Sequence, residues 1–173
     1  MPTVHTAYGE LYYAVSRSRA ERRLPSLLLL HGAGGSHLLW PGAVRRLPLT
    51  TVYALDLPGH GRSGGVAEPH VDHYAQAVAR FMAGIGIAQA IIVGHSMGAF
   101  VSVVGADRHP DRVQRLLLVD GGLPLAVPEG LSSDEVIRHV LGPTAARLAM
   151  RFESPEAYHS FWRQHPAFAH DWS

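Results

Sequence analysis

The sequence contains no cysteine and no lysine, and no apolar run is long enough to cross a membrane as a helix. Without cysteine the chain can form neither disulfide bonds nor thiolate metal sites. Its 15 basic residues are all arginine and balance 14 acidic residues, which leaves a formal net charge of +1. That balance gives no reason to expect nucleic acid or a membrane as a partner. The first residues lack the apolar stretch of a signal peptide, so we expect a cytoplasmic protein.

Short apolar runs and amphipathic segments alternate along residues 3–122. An antiparallel hairpin over 3–8 and 11–15 comes first, with Gly9-Glu10 at its turn. Predicted strands at 27–30, 51–55, 90–93 and 116–119 then alternate with predicted helices at 36–46, 71–85 and 97–108. Such alternation is typical of a mostly parallel sheet flanked by helices, with ligands at the carboxyl ends of the strands. The sequence therefore predicts an α/β fold.

The segment 94–98 (GHSMG) has the pattern of a nucleophile elbow, in which a serine stands on a tight turn between a strand and a helix. The apolar run 90–93 precedes it, and apolar residues at helical spacing follow it. Glycine at both ends of the motif lets strand and helix approach closely and lets Ser96 adopt a strained backbone conformation. The helix N-terminus favours negative charge that develops beside the serine. A serine that only caps a helix is the alternative.

Three further loops follow predicted strands and should meet Ser96 at the same edge of the sheet. They contain Ala33 in the glycine-rich segment 31–36, His60 in a turn dense in glycine and proline, and Asp120. The glycine-rich segment can present backbone N–H groups to the elbow. It lacks the lysine of a phosphate-binding loop, so a nucleotide-binding protein is a weak alternative. For His60, local packing is favoured over a catalytic role.

The segment 70–73 (HVDH) combines two histidines and an aspartate, which are residue types that bind metals. Apolar residues at helical spacing run through it, so a helix start with Asp72 in the first turn is the better interpretation. The sequence accordingly predicts no metal site and no cofactor.

Residues 124–173 carry helical patterns and no predicted strand. Ser132 and Glu135 form a capping box at the start of a helix. Residues 142–143 (Gly-Pro) are predicted to end that helix and to start another, and a third helix begins at 154–155. Its aromatic face consists of Tyr158, Phe161, Trp162 and His165. A core or docking face is favoured there over a ligand-binding role for Tyr158 and Trp162.

Four motifs together resemble the α/β-hydrolase fold family, in its group of esterases, lactonases and haloperoxidase-like enzymes. They are HGAGGS at 31–36, DLPGHGRS at 56–63, GHSMG at 94–98 and RLLLVDGG at 115–122. The resemblance implies that residues 1–122 form the N-terminal part of the hydrolase core and that residues 123–173 form a helical cap. Serine rather than aspartate at position 96 disfavours the epoxide hydrolases and dehalogenases of this family.

The resemblance also implies roles for individual residues. Ser96 would be the nucleophile, and the backbone N–H groups of Met97 and Ala33 would form the oxyanion hole. Asp120 would be a candidate for the catalytic acid. Four further residues would contact the substrate: Gly32, Gly34, His95 and Trp40.

Members of this family continue after the cap with two strands that carry the catalytic acid and then the histidine. The sequence predicts neither strand in these 173 residues, and His165 and His170 could reach Ser96 only by an unfamiliar route. A serine without a general base is a weak nucleophile. We therefore expect a longer polypeptide or a companion chain to supply the missing segment.

The activity that the resemblance implies is cleavage of a small to medium, largely apolar carboxylic ester, thioester or lactone through an acyl-enzyme on Ser96. Two alternatives stay open. The same acyl-enzyme could pass its acyl group to an acceptor other than water, as an acyltransferase does. A chain without a general base could also be a non-catalytic binding or assembly protein with the same fold.

Overall fold

The computed structural model describes residues 2–18, 24–68, 70–123 and 129–165. The chain divides into two compact units, Met1–Pro124 and Leu125–Ser173. The first unit contains a β-sheet and the helices that pack on it, and the second contains two helices.

Six strands form one sheet in the first unit. They are β1 (Thr3–Thr6), β2 (Gly9–Ser16), β3 (Leu27–Leu30), β4 (Val52–Leu55), β5 (Ala90–His95) and β6 (Val113–Val119). Their order in the sheet is β1-β2-β4-β3-β5-β6. The pairs β1–β2 and β2–β4 are antiparallel, and the other three pairs are parallel. The predicted hairpin and the mostly parallel sheet are thus confirmed, but the hairpin turn lies at residues 7–8, and Gly9 and Glu10 are strand residues that pair with Thr6 and His5.

The position of β3 follows from its sequence. Its residues Leu28, Leu29 and Leu30 are completely buried, and it lies between the parallel strands β4 and β5. A strand that is covered on both faces needs apolar side chains at every position rather than at alternate ones. Leu30 stands opposite Gly94 of β5 in the register, so the loops that follow these two strands leave the sheet side by side.

Five α-helices lie in the described part of the chain. They are α1 (Gly42–Arg45), α2 (Val71–Gly84), α3 (Met97–Arg108), α4 (Ser133–Leu148) and α5 (Pro155–Arg163). The start of α2 is as predicted, with Asp72 in its first turn. Tyr74, Val78 and Phe81 are buried because they share the face of α2 that packs on the sheet. Among the described residues, no helix is both long enough and apolar enough to span a bilayer.

The predicted helix 36–46 is wrong as a single helix. A 3-10 turn spans His37–Leu39, and α1 begins only after Pro41. Pro41 has an extended backbone with ψ 146°, and proline has no N–H to donate to the preceding turn. The predicted cap is confirmed, because Ser36 Oγ accepts a hydrogen bond from the Leu38 N–H at 3.3 Å.

The predicted break at residues 142–143 is also wrong, because α4 runs through Pro143. Proline removes one backbone donor from a helix, and α4 nevertheless continues on both sides of Pro143. The predicted capping box at the helix start is confirmed. The Ser132 N–H donates to Glu135 Oε2 at 2.8 Å, and the Glu135 N–H donates to Ser132 Oγ at 3.3 Å. The hydrogen bonds from Ser132 lower the pKa of Glu135.

In the described part of the chain, β6 is an edge of the sheet. It pairs with β5 on one side, and its residues Leu117 and Val119 are 52% and 43% exposed. A run of apolar residues such as 116–119 is typical of strands that have neighbours on both sides. An exposed apolar edge strand offers unpaired backbone groups to another strand.

Candidate active site

The turn between β5 and α3 holds Ser96 in an unusual backbone conformation. Its φ is 51° and its ψ is −118°. Among the described residues, Asp120 is the only other non-glycine residue with a positive φ. Such conformations cost on the order of 1–3 kcal/mol and persist only where the surrounding structure enforces them. The strand, turn and helix predicted around Ser96 are confirmed.

Close backbone packing explains the two glycines of the motif. A Cβ atom on Gly94 would lie 2.5 Å from Ser102 Oγ. A Cβ atom on Gly98 would lie 2.7 Å from the carbonyl oxygen of His31, and closer still to the last carbonyl group of β3. These separations are shorter than van der Waals contact. Only glycine at both positions allows α3 to start against the ends of β3 and β5.

The loop after β3 lies against the serine. A Cβ atom on Gly32 would lie 3.1 Å from Ser96 Cβ and 3.0 Å from His95 Nδ1. The Gly35 N–H donates to the Gly32 carbonyl at 3.1 Å and closes a turn, in which Ala33 is exposed. The loop therefore approaches the elbow as predicted, and Ala33 follows the contact residue directly.

Gly34 and His95 lie in the same region. Gly34 is exposed and has a φ of 69°, which is in the left-handed region that favours glycine. The His95 ring lies beside Gly32, and its buried Nδ1 has no hydrogen-bond partner among the residues described. The predicted substrate contacts of Gly32, Gly34 and His95 stay predictions.

The turn after β6 also reaches the elbow. Asp120 is exposed and has a φ of 51°, and a Cβ atom on Gly121 would lie 2.8 Å from the Ser96 carbonyl oxygen. The Ser96 N–H donates to the Val119 carbonyl at 2.9 Å. The loops after β3, β5 and β6 therefore meet at Ser96, because the three strands are parallel neighbours. The role of Asp120 as an acid stays a prediction.

His60 interacts with its own turn and with α2. Its Nδ1 lies 2.9 Å from the Pro58 carbonyl oxygen. Its ring packs against His31 and Tyr74, with ring centroids 5.2 Å and 6.1 Å apart. The local packing that the sequence favoured for His60 is confirmed.

Trp40 lies in the core. It is 8% exposed and belongs to an apolar cluster with Leu29, Val52 and Ala54. Its indole Nε1 is buried and has no hydrogen-bond partner in the described part of the chain. A side chain packed in this way offers little surface to a ligand, which disfavours the predicted substrate contact of Trp40. Its burial stabilises the sheet instead.

A buried pair that sequence reasoning missed anchors the loop after β3. Asp56 directly follows β4 and is completely buried. Its carboxylate accepts hydrogen bonds from the His37 N–H at 2.5 Å and from the Arg62 N–H at 2.9 Å, and the ring Nδ1 of His37 lies 3.0 Å away. His37 directly follows the glycine-rich segment 31–36. The pair therefore fixes the far end of the loop whose near end contacts Ser96.

A weak signal for this pair exists in the sequence. An aspartate between an apolar strand and a tight turn is expected to be buried, and a buried carboxylate must find hydrogen-bond donors. Nothing in the local sequence identifies His37, which is 19 residues away, as one of them.

His31, at the start of the loop after β3, is held in one tautomer. Its Nε2 accepts a hydrogen bond from the Leu57 N–H at 3.0 Å, which places the ring proton on Nδ1, 2.7 Å from the Gly32 carbonyl oxygen. Burial lowers the pKa of His31, the bond to Gly32 opposes that shift in part, and the nearby His60 lowers the pKa further.

The lowered pKa makes the contribution of His31 to stability depend on pH. As the pH falls through 6.5, the ordinary pKa of histidine, the unfolded chain takes up a proton that the folded chain does not. Folding stability should therefore fall toward acidic pH, by up to about 1.4 kcal/mol per pH unit from this group. Measuring the free energy of unfolding between about pH 7.5 and about pH 5.5 checks this.

His31→Gln should flatten that pH dependence, even though it also lowers stability near neutral pH by disturbing two hydrogen bonds. The matched control is His5→Gln, because the His5 side chain is 85% exposed, and it should keep the wild-type slope. Equal slopes for His31→Gln and the wild type would contradict the role assigned to His31.

Comparison with known proteins agrees with this geometry. The sequence matches the family described as alpha/beta hydrolase fold over residues 25–167. The 2-succinyl-6-hydroxy-2,4-cyclohexadiene-1-carboxylate synthase of Enterobacter sp. (strain 638) is 35% identical over 147 residues, which are 84% of this chain and 54% of that relative. A 1-acylglycerol-3-phosphate O-acyltransferase of Pongo abelii is 31% identical over 134 residues, which are 73% of this chain and 37% of the relative.

A similar fold occurs among solved structures. The crystal structure of an N-acyl homoserine lactonase complexed with N-butanoyl homoserine matches 94% of this chain and 57% of its own, with a TM-score of 0.65 and 25% identity. The chain thus spans about half the length of this lactonase and of the synthase. The family match includes the loop after β3, the elbow and the turn after β6. The chain belongs to the α/β-hydrolase fold family.

Proposed function

We propose that Ser96 is the nucleophile of a serine hydrolase that cleaves small to medium, largely apolar carboxylic esters, thioesters or lactones. The strained conformation of Ser96, with a φ of 51°, carries this proposal. The loops after β3 and β6 pack against the same residue. The carboxyl ends of β3, β5 and β6 therefore all lie close to Ser96. A serine at a helix N-terminus beside a glycine-rich loop suits acyl transfer, because backbone N–H groups can stabilise the oxyanion there.

In the proposed reaction, Ser96 Oγ attacks the substrate carbonyl carbon while a general base takes the hydroxyl proton. The carbonyl oxygen becomes an oxyanion, to which the N–H groups of Met97 and Ala33 donate. Met97 suits this role because the first N–H groups of a helix have no acceptor within it. The alcohol or thiol then leaves with a proton, and water hydrolyses the acyl group on Ser96 to a carboxylic acid.

We assign the general base to a segment that pairs with β6. The exposed Leu117 and Val119 of that strand are apolar residues that a further strand and its covering helix would bury. A longer polypeptide or a companion chain with a strand followed by histidine would supply it. Asp120, beside the elbow, is the candidate acid in this chain. The role of the second unit as a helical cap belongs to the same proposal.

Acyl transfer is the second candidate function, because one relative is named an O-acyltransferase. The same acyl-enzyme would perform it if an alcohol or an amine replaced water as the acceptor. Product analysis with an added alcohol separates the two reactions. A new ester indicates transfer, and a carboxylic acid alone indicates hydrolysis.

Covalent labelling tests the proposal. In the longer polypeptide or the complex that carries the general base, a fluorophosphonate should add a single phosphonyl group at Ser96, and Ser96→Ala should abolish labelling without unfolding the protein. Intact mass and peptide mapping measure the adduct, and circular dichroism measures the fold. The matched control is Ser160→Ala, an exposed serine of α5, which should label like the wild type.

A wild-type chain that stays unlabelled, both alone and in the complex isolated from its native source, would contradict the hydrolase proposal. It would favour a binding or assembly protein that keeps the fold without the chemistry.

A further inference from the structure

An open groove of about 500 Å³ lies between α2 and the residues at and just after the end of α3. It shares no residue with the candidate active site. Its polar lining consists of Asp72, Gln76, Arg80, Arg108, His109 and Arg112. Two alanines of α2 complete the lining and, being small, leave the groove open.

The charges around this groove do not balance. Three arginines face a single aspartate, which leaves a net charge of +2 with His109 neutral. Asp72 is already occupied: Arg108 Nε lies 3.1 Å from its Oδ1, and Gln76 Nε2 donates to its Oδ2 at 2.7 Å. Neither Arg80 nor Arg112 has a carboxylate partner among the residues described here.

The hydrogen bonding of the Arg112 guanidinium leaves donors for a ligand. The one described hydrogen bond of the Arg112 guanidinium is a long one, 3.5 Å to the Ile87 carbonyl oxygen. The Nε2 of His109 is buried and has no hydrogen-bond partner in the described part of the chain. Because protein atoms shield this nitrogen, a ligand in the groove would contact the arginine side chains rather than His109 Nε2. The exposed acids Asp107 and Asp111 stand nearby in sequence but do not line the groove.

We propose that this groove binds the phosphate group of a phosphorylated small molecule, such as a phosphate monoester or a pyrophosphate. A phosphate dianion matches the net charge of the lining. Guanidinium groups bind phosphate oxygens with paired, charge-assisted hydrogen bonds, which Arg80 and Arg112 can supply. The site is independent of Ser96 and of the reaction proposed there.

Equilibrium binding of inorganic pyrophosphate to the full chain tests the site, by calorimetry at constant ionic strength. We expect saturable binding to the wild type. The double substitution Arg80→Gln and Arg112→Gln should weaken it by at least about tenfold, because charge-assisted hydrogen bonds are lost. The matched control is Arg115→Gln, an exposed arginine of β6, which should bind like the wild type.

A second arm uses vesicles of phosphatidylcholine with and without phosphatidic acid. Binding that needs phosphatidic acid and is lost in the double variant would assign the same phosphate chemistry to a lipid headgroup. Binding of pyrophosphate alone would assign it to a soluble ligand. Absence of saturable binding in both arms, or an equal loss in Arg115→Gln, would overturn the proposal.

Discussion

Asp56→Asn is expected to lower the free energy of unfolding by about 3 kcal/mol and to slow fluorophosphonate labelling of Ser96. The carboxylate is completely buried and lies within hydrogen-bond distance of two groups of His37 and of the Arg62 N–H. An amide has only one acceptor oxygen and turns an NH₂ group toward one of these donors. The loop after β3 then loses its anchor, and its N–H groups lose their fixed position beside Ser96.

Urea unfolding followed by tryptophan fluorescence gives the stability change, and the rate of adduct formation by mass gives the functional change. The control is Asp107→Asn, an exposed acid of α3, which should stay within about 0.5 kcal/mol of the wild type. If Asp56→Asn unfolds at the wild-type urea concentration and labels at the wild-type rate, the pair does not anchor the loop.

Gly98→Ala is expected to destabilise the protein by about 3 kcal/mol, which is at the upper end of the usual cost of overpacking. The added methyl group would lie 2.7 Å from the His31 carbonyl oxygen and would collide with the carbonyl group of Leu30. Both obstacles are backbone atoms, so no side-chain rotation relieves the contact. Either α3 must move away from β3, or the turn that holds Ser96 must change. The unfolding free energy and the labelling rate should fall together.

Gly105→Ala is the matched control in the same helix. A Cβ atom on Gly105 would meet nothing within 4 Å, so the added methyl group makes no new contact. Alanine in a helix interior is more stable than glycine by roughly 0.5–1 kcal/mol, and we expect a gain of that size. Equal effects of the two substitutions would show that backbone packing at Gly98 does not limit the elbow.

The elbow could be predicted from the sequence because its determinants are local. A buried strand, two glycines and a helix follow one another within 90–108, and the residue types required by the turn stand at fixed spacing. The meeting of the loops after β3 and β6 with Ser96 could also be predicted, whereas no described contact brings the loop that carries His60 to the serine. Parallel neighbouring strands bring their carboxyl ends to one edge of a sheet, so Gly32 and Gly121 come to lie against the serine.

Other features could not be predicted in this way. The chain was expected to be helical over 36–46, but the conformation at Pro41 divides that segment. The burial of Trp40 in a cluster with three strand residues is a second such feature, and it disfavours the substrate contact that the family resemblance implied. At Pro41 a single backbone angle outweighed the local pattern. At Trp40 contacts with residues distant in sequence did so.

Local patterning is thus sufficient for the α/β class, the strand order along the chain and the place of Ser96, because these depend on spacing and on neighbouring residues. The buried pair of Asp56 and His37, the tautomer of His31 and the arginine-lined groove beside α2 became visible only in the folded chain. Each of them depends on groups that are 19 or more residues apart. The sequence predicts that strand ends meet at one edge of the sheet, but it does not identify these individual side-chain partners, because tertiary packing selects them.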